Sequence, residues 1–184
     1  LIRDQIGQYV YPLHRLDRPT SGVLLFALSK DVARLMGQAF SDRKIQKTYY
    51  ALTRGHLLND GVIEHPLKEK LDDLGDKNVS RDKEAQSAQT HYQSIASASL
   101  AVPLGKYASV LAHLRHPIIG DINYGDNKQN PFFGEYFGFK RLMLMAKRLE
   151  FFHPVTELPI LIDADFDEQW LQVFNEFSWC KETF

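Results

Sequence analysis

The sequence predicts an α+β fold, and three observations carry that prediction. Val23 to Leu28 is an uninterrupted apolar run between Gly22 and Ser29, the pattern of a buried strand. Directly after it, Val32, Leu35, Met36, Ala39 and Phe40 recur at helical spacing on one face. The strands and helices that follow mix without the regular alternation of βαβ units, which argues against a doubly wound parallel sheet.

Each element has a local reason. Ser29 is placed to cap the helix, and Asp31 falls in its first turn, where a negative charge is favourable. Lys44 to Arg54, KIQKTYYALTR, is rich in Tyr and Thr and reads as a strand ended by Gly55. Period two puts Lys47 and Tyr49 on one of its faces and Tyr50 and Leu52 on the other. Gly61 to Leu67 reads as a short strand, Lys68 to Ser87 as a charged, solvated loop, and Gln89 to Ile95 as a returning strand. Ala112 to His116 is a helical fragment stopped by Pro117. Lys140 to Phe152, with Met143 and Leu149 among its apolar positions, reads as a strand running into a turn at His153 and Pro154. Asp167 to Phe177 closes the chain as a helix, with Trp170, Leu171, Phe174 and Phe177 on one side. No internal repeat is present.

The 184 residues, 44% of them hydrophobic, suit a single domain with a sizeable core. A net charge of −1 means that any polyanion must be met by a local patch rather than by the whole molecule. The single cysteine, Cys180, allows no internal disulfide and fits the reducing cytosol. No apolar run has the length of a membrane span. The chain opens at Leu1, so its N-terminal part is expected to lie upstream.

The stretch HRLDRPTSGVLLFAL, from His14 to Leu28, sets Arg15 and Asp17 at the mouth of the apolar run. Charges brought there lose water and must be paired or put to use. Read alone, Asp-Arg-Pro is common turn chemistry and Tyr49 is ordinary strand packing. Arg15 alone is equally well a surface ion-pair partner. His113 and His116 sit three apart, but no third ligand has suitable spacing, so packing or capping accounts for them better than a metal. The acidic run from Asp163 to Glu168 lacks the glycine and terminal glutamate of a calcium loop. Lys140, Arg141, Lys147 and Arg148 suit either phosphate contact or a solvated face. The similarity of HRLD to the HRD loop of protein kinases goes no further, since the glycine-rich phosphate loop, the DFG and the metal-binding asparagine are absent.

HRLDRPTSGVLL resembles the signature of the RluA-type pseudouridine synthases. QKTYYALTRGH around Tyr49, HLRHPIIGD from His113 to Asp121 and RLMLMAKRLEFFHP from Arg141 to Pro154 resemble three further segments of that family, in the same order. Within it, AHLRHPIIGD and the GDNKQN that follows are most similar to the branch that modifies a T-arm uridine, at tRNA position 65. The resemblance implies a mixed, largely antiparallel sheet flanked by helices around a central basic RNA-binding cleft. It implies Asp17 as the essential carboxylate, Tyr49 as the ring that packs on the target uracil, and Arg15 beside the flipped nucleotide. Lys47, on the face of Tyr49, and Leu144, as apolar packing near Tyr49, complete the expected substrate contacts. No cofactor or metal is implied, and the expected partner is RNA, most of all tRNA, met by a cytosolic monomer without a membrane. The same motifs also serve enzymes of large-subunit ribosomal RNA, and a non-catalytic RNA-binding relative remains a third reading.

The chemistry suits these residues. Moving the ribose bond from uracil N1 to C5 involves no redox change, and a carboxylate supplies a nucleophile or a base. A uridine stacked in a helix must leave its stack to react, and an aromatic ring offsets part of that cost, by about 1–3 kcal/mol per base.

Two departures from the family pattern stand out. Met145 occupies the position of a usual histidine, in LMLMA. Ahead of HLRHPIIGD, the family's TGRxHQIR segment, whose first arginine pairs with the catalytic aspartate, is missing. An omitted internal segment near residues 107–111 is therefore expected, and with it a break in the chain there.

Overall fold

A computed structural model of the protein describes residues 2–57, 59–64, 87–99, 116–122 and 130–183. The expected loop over 68–86, the helical fragment over 112–115 and the break near 107–111 lie outside the described residues.

One strand organises the sheet. β7 (Leu144–Phe152) is the longest at nine residues, and its core-facing Met145, Ala146 and Leu149 are almost completely buried. β4 (Gln46–Ala51) lies antiparallel along one edge, from Gln46 opposite Glu150 to Ala51 opposite Leu144. β2 (Ser21–Gly22) runs parallel to β7, opposite Met145 and Ala146, and β8 (Pro159–Asp163) pairs antiparallel with Arg148 to Phe152. Because β4 takes one edge, β2 and β8 share the other end to end. The turn between β7 and β8 falls at His153 and Pro154, as expected, with the His153 ring nitrogen accepting from the Val155 and Thr156 amides.

The apolar run from Val23 to Leu28 departs from its expected form. It is not one buried strand, because it changes partner midway. Val23 donates to the Ala146 carbonyl of β7, whereas β3 (Phe26–Ala27) pairs antiparallel with β1 (Tyr11–Pro12). Only Val23 and Ala27 are buried, while Leu24 and Leu28 are exposed. A segment that changes partners cannot keep both faces covered.

α2 (Lys30–Ser41) forms as its spacing predicts, with the Ser29 Oγ accepting from the Val32 amide. Its Met36 is buried with Val23, Ile45 and Leu149, and Val32, Ala39 and Phe40 pack around them. α4 (Glu168–Glu176) is capped by Asp167, whose Oδ1 accepts from the Gln169 and Trp170 amides. Trp170 and Phe174 are buried as expected, but the third core position is Val173, and Leu171 is exposed. Trp170, Val173 and Phe174 join Leu52, Ile119, Met143, Met145 and Phe132, Phe133 and Phe137 of α3 (Asn130–Phe137) in a second cluster. β5 (Gly61–Glu64) pairs with β6 (Gln89–Tyr92) as a separate two-stranded sheet; β6 stops before the predicted Ile95, and residues 65–67 of the other predicted strand lie outside the described residues. α1 (Ile2–Ile6) buries no side chain.

Candidate active site

The loop from His14 to Thr20 hangs between two anchored ends. At its start, Leu13 donates to the Leu25 carbonyl, extending the β1–β3 ladder by one residue. The return bond does not go to backbone: the Leu25 amide donates to His14 Nε2 at 3.1 Å. At its end, the Thr20 amide donates to the Asp17 carbonyl at 2.8 Å, closing a turn over Arg18 and Pro19. The chain then enters β2 through Gly22, whose φ is +118°. A Cβ built there would stand 2.1 Å from the Ala146 carbonyl oxygen, so only glycine permits this approach to β7.

Ala146 is also the partner of Tyr49 on β4, just past a bulge between Thr48 and Tyr49. Gly22, Ala146 and Tyr49 thus stand in one row across three strands. With about 4.8 Å between neighbouring strands, the turn carrying Asp17 is fed onto the sheet roughly 10 Å from the backbone of Tyr49. Thirty-two positions of sequence are closed by one shared strand.

Asp17, Lys47, Tyr49 and Leu144 line one open cleft. Its volume is about 2040 Å³, well above the usual 300–1,000 Å³ of a small-molecule pocket and suited to a larger substrate. Tyr49 is 44% exposed, so part of its ring faces this space. Burial of the rest, and secondly the charge of Asp17, push the Tyr49 hydroxyl above the ordinary tyrosine pKa. Lys47 and Tyr49 share a face of β4, as their spacing predicts, and Leu144 pairs with Ala51 at the neighbouring position. Arg15 is exposed on the Asp17 loop and does not line the cleft. Asp17 makes no ion pair with a described residue.

The basic run before and within β7 is spent internally. Arg141 donates to Ser21 Oγ at 3.0 Å and pairs with Asp167, tying β2 to the start of α4. Arg148 makes two hydrogen bonds to Asp163, at 2.8 and 3.0 Å, and Lys147 donates to the Ala164 carbonyl at 2.7 Å. Only Lys140 stays exposed without such a contact among the described residues. His116 acts structurally, its Nδ1 donating to the Arg54 carbonyl at 3.0 Å, whereas His113 lies outside the described residues. Met145, 1% exposed, packs in the core in place of a polar side chain.

Sequence reasoning missed the aromatic wall of the cleft, formed by Phe132, Phe133 and Phe137 of α3 with Trp170, Phe177 and Trp179. The signal was present in QNPFFGEYF: proline early in a helix is favourable, and Asn130 holds the start by accepting from Gly120 and donating to the Asp121 carbonyl. Phe132, Phe133, Tyr136 and Phe137 also recur at i, i+1, i+4 and i+5, a helical spacing that the reading of the sequence passed over.

The RNA pseudouridylate synthase family model matches residues 1–133. The chain belongs to this family. As a pseudouridine synthase it is an isomerase, converting uridine in RNA to pseudouridine. It is similar to tRNA pseudouridine synthase C of Vibrio cholerae, with 45% identity over 97% of this chain and 81% of that one. The same enzyme of Salmonella typhi is also 45% identical, over 97% of this chain and 76% of its own. Both alignments extend over 198 residues, more than the 184 present here, so these relatives carry residues without a counterpart in this synthase. Among solved structures, human RNA pseudouridylate synthase domain containing 4 superposes with a TM-score of 0.66 at 21% identity, over 96% of this chain and 80% of that one. Human RNA pseudouridylate synthase domain containing 1 gives 0.56 at 22% identity, over 90% and 72%. The pseudouridine synthase fold is thereby established.

Proposed function

We propose that this synthase acts on tRNA, at the T-arm uridine of position 65, with Asp17 as its essential carboxylate and Tyr49 as the ring that stacks on the target base. The observation that carries the reading is the convergence of Asp17, Lys47, Tyr49 and Leu144 on one cleft. The relatives named for tRNA support the substrate. The uridine leaves its stack and enters the cleft. Asp17, as nucleophile or base, promotes cleavage of the bond from ribose C1′ to uracil N1. The base turns in place against Tyr49 and Leu144, and C1′ joins C5. The C5 proton is then lost and N1 is left protonated, so no oxidant is needed. Lys47, on the Tyr49 face and lining the cleft, supplies a phosphate contact, and Arg15 and Arg18 on the exposed loop supply others outside it. The reducing compartment suggested by the single exposed Cys180 is where tRNA is found.

The family pattern places an internal segment near 107–111 that supplies an arginine partner to Asp17, and we assign part of the relatives' additional length to it. The test uses the full-length protein with separate tRNA and ribosomal RNA substrates, mapping pseudouridine by chemical labelling. Modification of tRNA at position 65, abolished in Asp17→Asn, is expected. Modification confined to ribosomal RNA, or turnover retained by Asp17→Asn, would overturn the assignment.

A further inference from the structure

The antiparallel pairing of β1 with β3 stops where a side chain takes the place of a backbone acceptor. Leu13 donates to Leu25, and an unbroken ladder would return the Leu25 amide to the Leu13 carbonyl. Instead that amide donates to His14 Nε2 at 3.1 Å. The substitution has two consequences. It ends the ladder, freeing the chain to swing out as the loop that carries Asp17, and it fixes where the loop departs, three residues before the carboxylate. The ring itself is held from the other side by Phe40 of α2, with centroids 5.2 Å apart.

We propose that His14 is a positioning residue for the Asp17 loop, working as a neutral imidazole that accepts from Leu25. This rests on the reading of Asp17 as the essential carboxylate. Accepting at Nε2 requires the ring proton to sit on Nδ1. The groups around the ring fit that state. Burial disfavours the charged form most, the Arg15 backbone opposes this by a hydrogen bond with the ring, and the Lys47 charge from β4 again disfavours protonation. No carboxylate among the described residues is paired with it. The net effect lowers the His14 pKa below its ordinary value. The unfolded chain therefore binds more protons at this site than the folded one. The acceptor is present at neutral pH and is lost as the pH falls through the lowered value, releasing the start of the loop.

Long-range proton–nitrogen NMR of the protein without RNA should show His14 as the Nδ1–H tautomer, titrating below an exposed histidine. His14→Phe keeps a ring against Phe40 but offers no acceptor, and His14→Gln offers an amide oxygen of similar reach. On a tRNA transcript, loss of one hydrogen bond predicts a fall of about tenfold in kcat for His14→Phe, with KM within about twofold. His14→Gln should recover most of that kcat and lose the histidine step from the acid side of the pH profile. An Nε2–H tautomer, a His14→Phe enzyme with unaltered kcat, or a His14→Gln enzyme as impaired as His14→Phe would overturn the proposal. If the wild-type protein modified no RNA, the reading of the site would fail. The positioning role would then be judged by the Leu25 amide, whose hydrogen exchange must quicken in His14→Phe and be restored in His14→Gln.

Discussion

The charge of Asp17 reaches the Tyr49 hydroxyl across the cleft and, together with the larger effect of burial, keeps that phenol protonated beyond the usual tyrosine range. The relationship requires the two side chains to be neighbours although they come from opposite edges of β7.

That coupling predicts a measurable shift. In Asp17→Asn the Tyr49 titration, followed by ring-carbon NMR, should move down toward the ordinary tyrosine value. It should not reach it, because burial is the larger cause. An unchanged titration would separate the two residues.

Substitution of Tyr49 itself should divide ring from hydroxyl. Tyr49→Ala should weaken RNA binding by about 1–3 kcal/mol, the usual worth of one base stacked on an aromatic ring. Tyr49→Phe keeps the stacking surface and should stay within about 1 kcal/mol of the wild type, the scale of one net hydrogen bond. Equal losses in filter-binding titrations would remove stacking from the account.

Gly22 is the steric hinge between the Asp17 turn and the sheet. Its φ of +118° and the 2.1 Å approach of an added Cβ to the Ala146 carbonyl oxygen leave no room for alanine. Gly22→Ala should destabilise the fold by at least about 2 kcal/mol, since backbone strain and a rigid clash act together. Urea denaturation measures this directly. A variant as stable as the wild type would mean that β2 does not sit on β7 in solution.

How much of this was legible beforehand depended on range. The α2 helix, its Ser29 cap and its apolar face were readable because they are set within a dozen residues. So was the separation of Lys47 and Tyr49 from Tyr50 and Leu52, which follows from the period of a strand. The run from Val23 to Leu28 misled because apolar content says nothing about partners. The chain there leaves one sheet for another, and Leu24 and Leu28 end exposed. The four basic residues from Lys140 to Arg148 looked alike in sequence, but what each one does depends on where Ser21, Asp163 and Asp167 arrive in space.

The sequence by itself determined the class of fold, the helices capped by Ser29 and Asp167, and the motif containing Asp17, since capping, periodicity and turn chemistry act between near neighbours along the chain. Only the tertiary structure decided that Asp17 and Tyr49 share a cleft and that His14 ends a ladder. Both follow from Ala146 standing between Gly22 and Tyr49, and from Leu25 meeting a side chain where its own strand partner would have been. The row of Gly22, Ala146 and Tyr49 joins segments far apart in sequence, and the bond from Leu25 to His14, although it spans only eleven positions, follows no repeating pattern; both are chosen by how the strands pack around them.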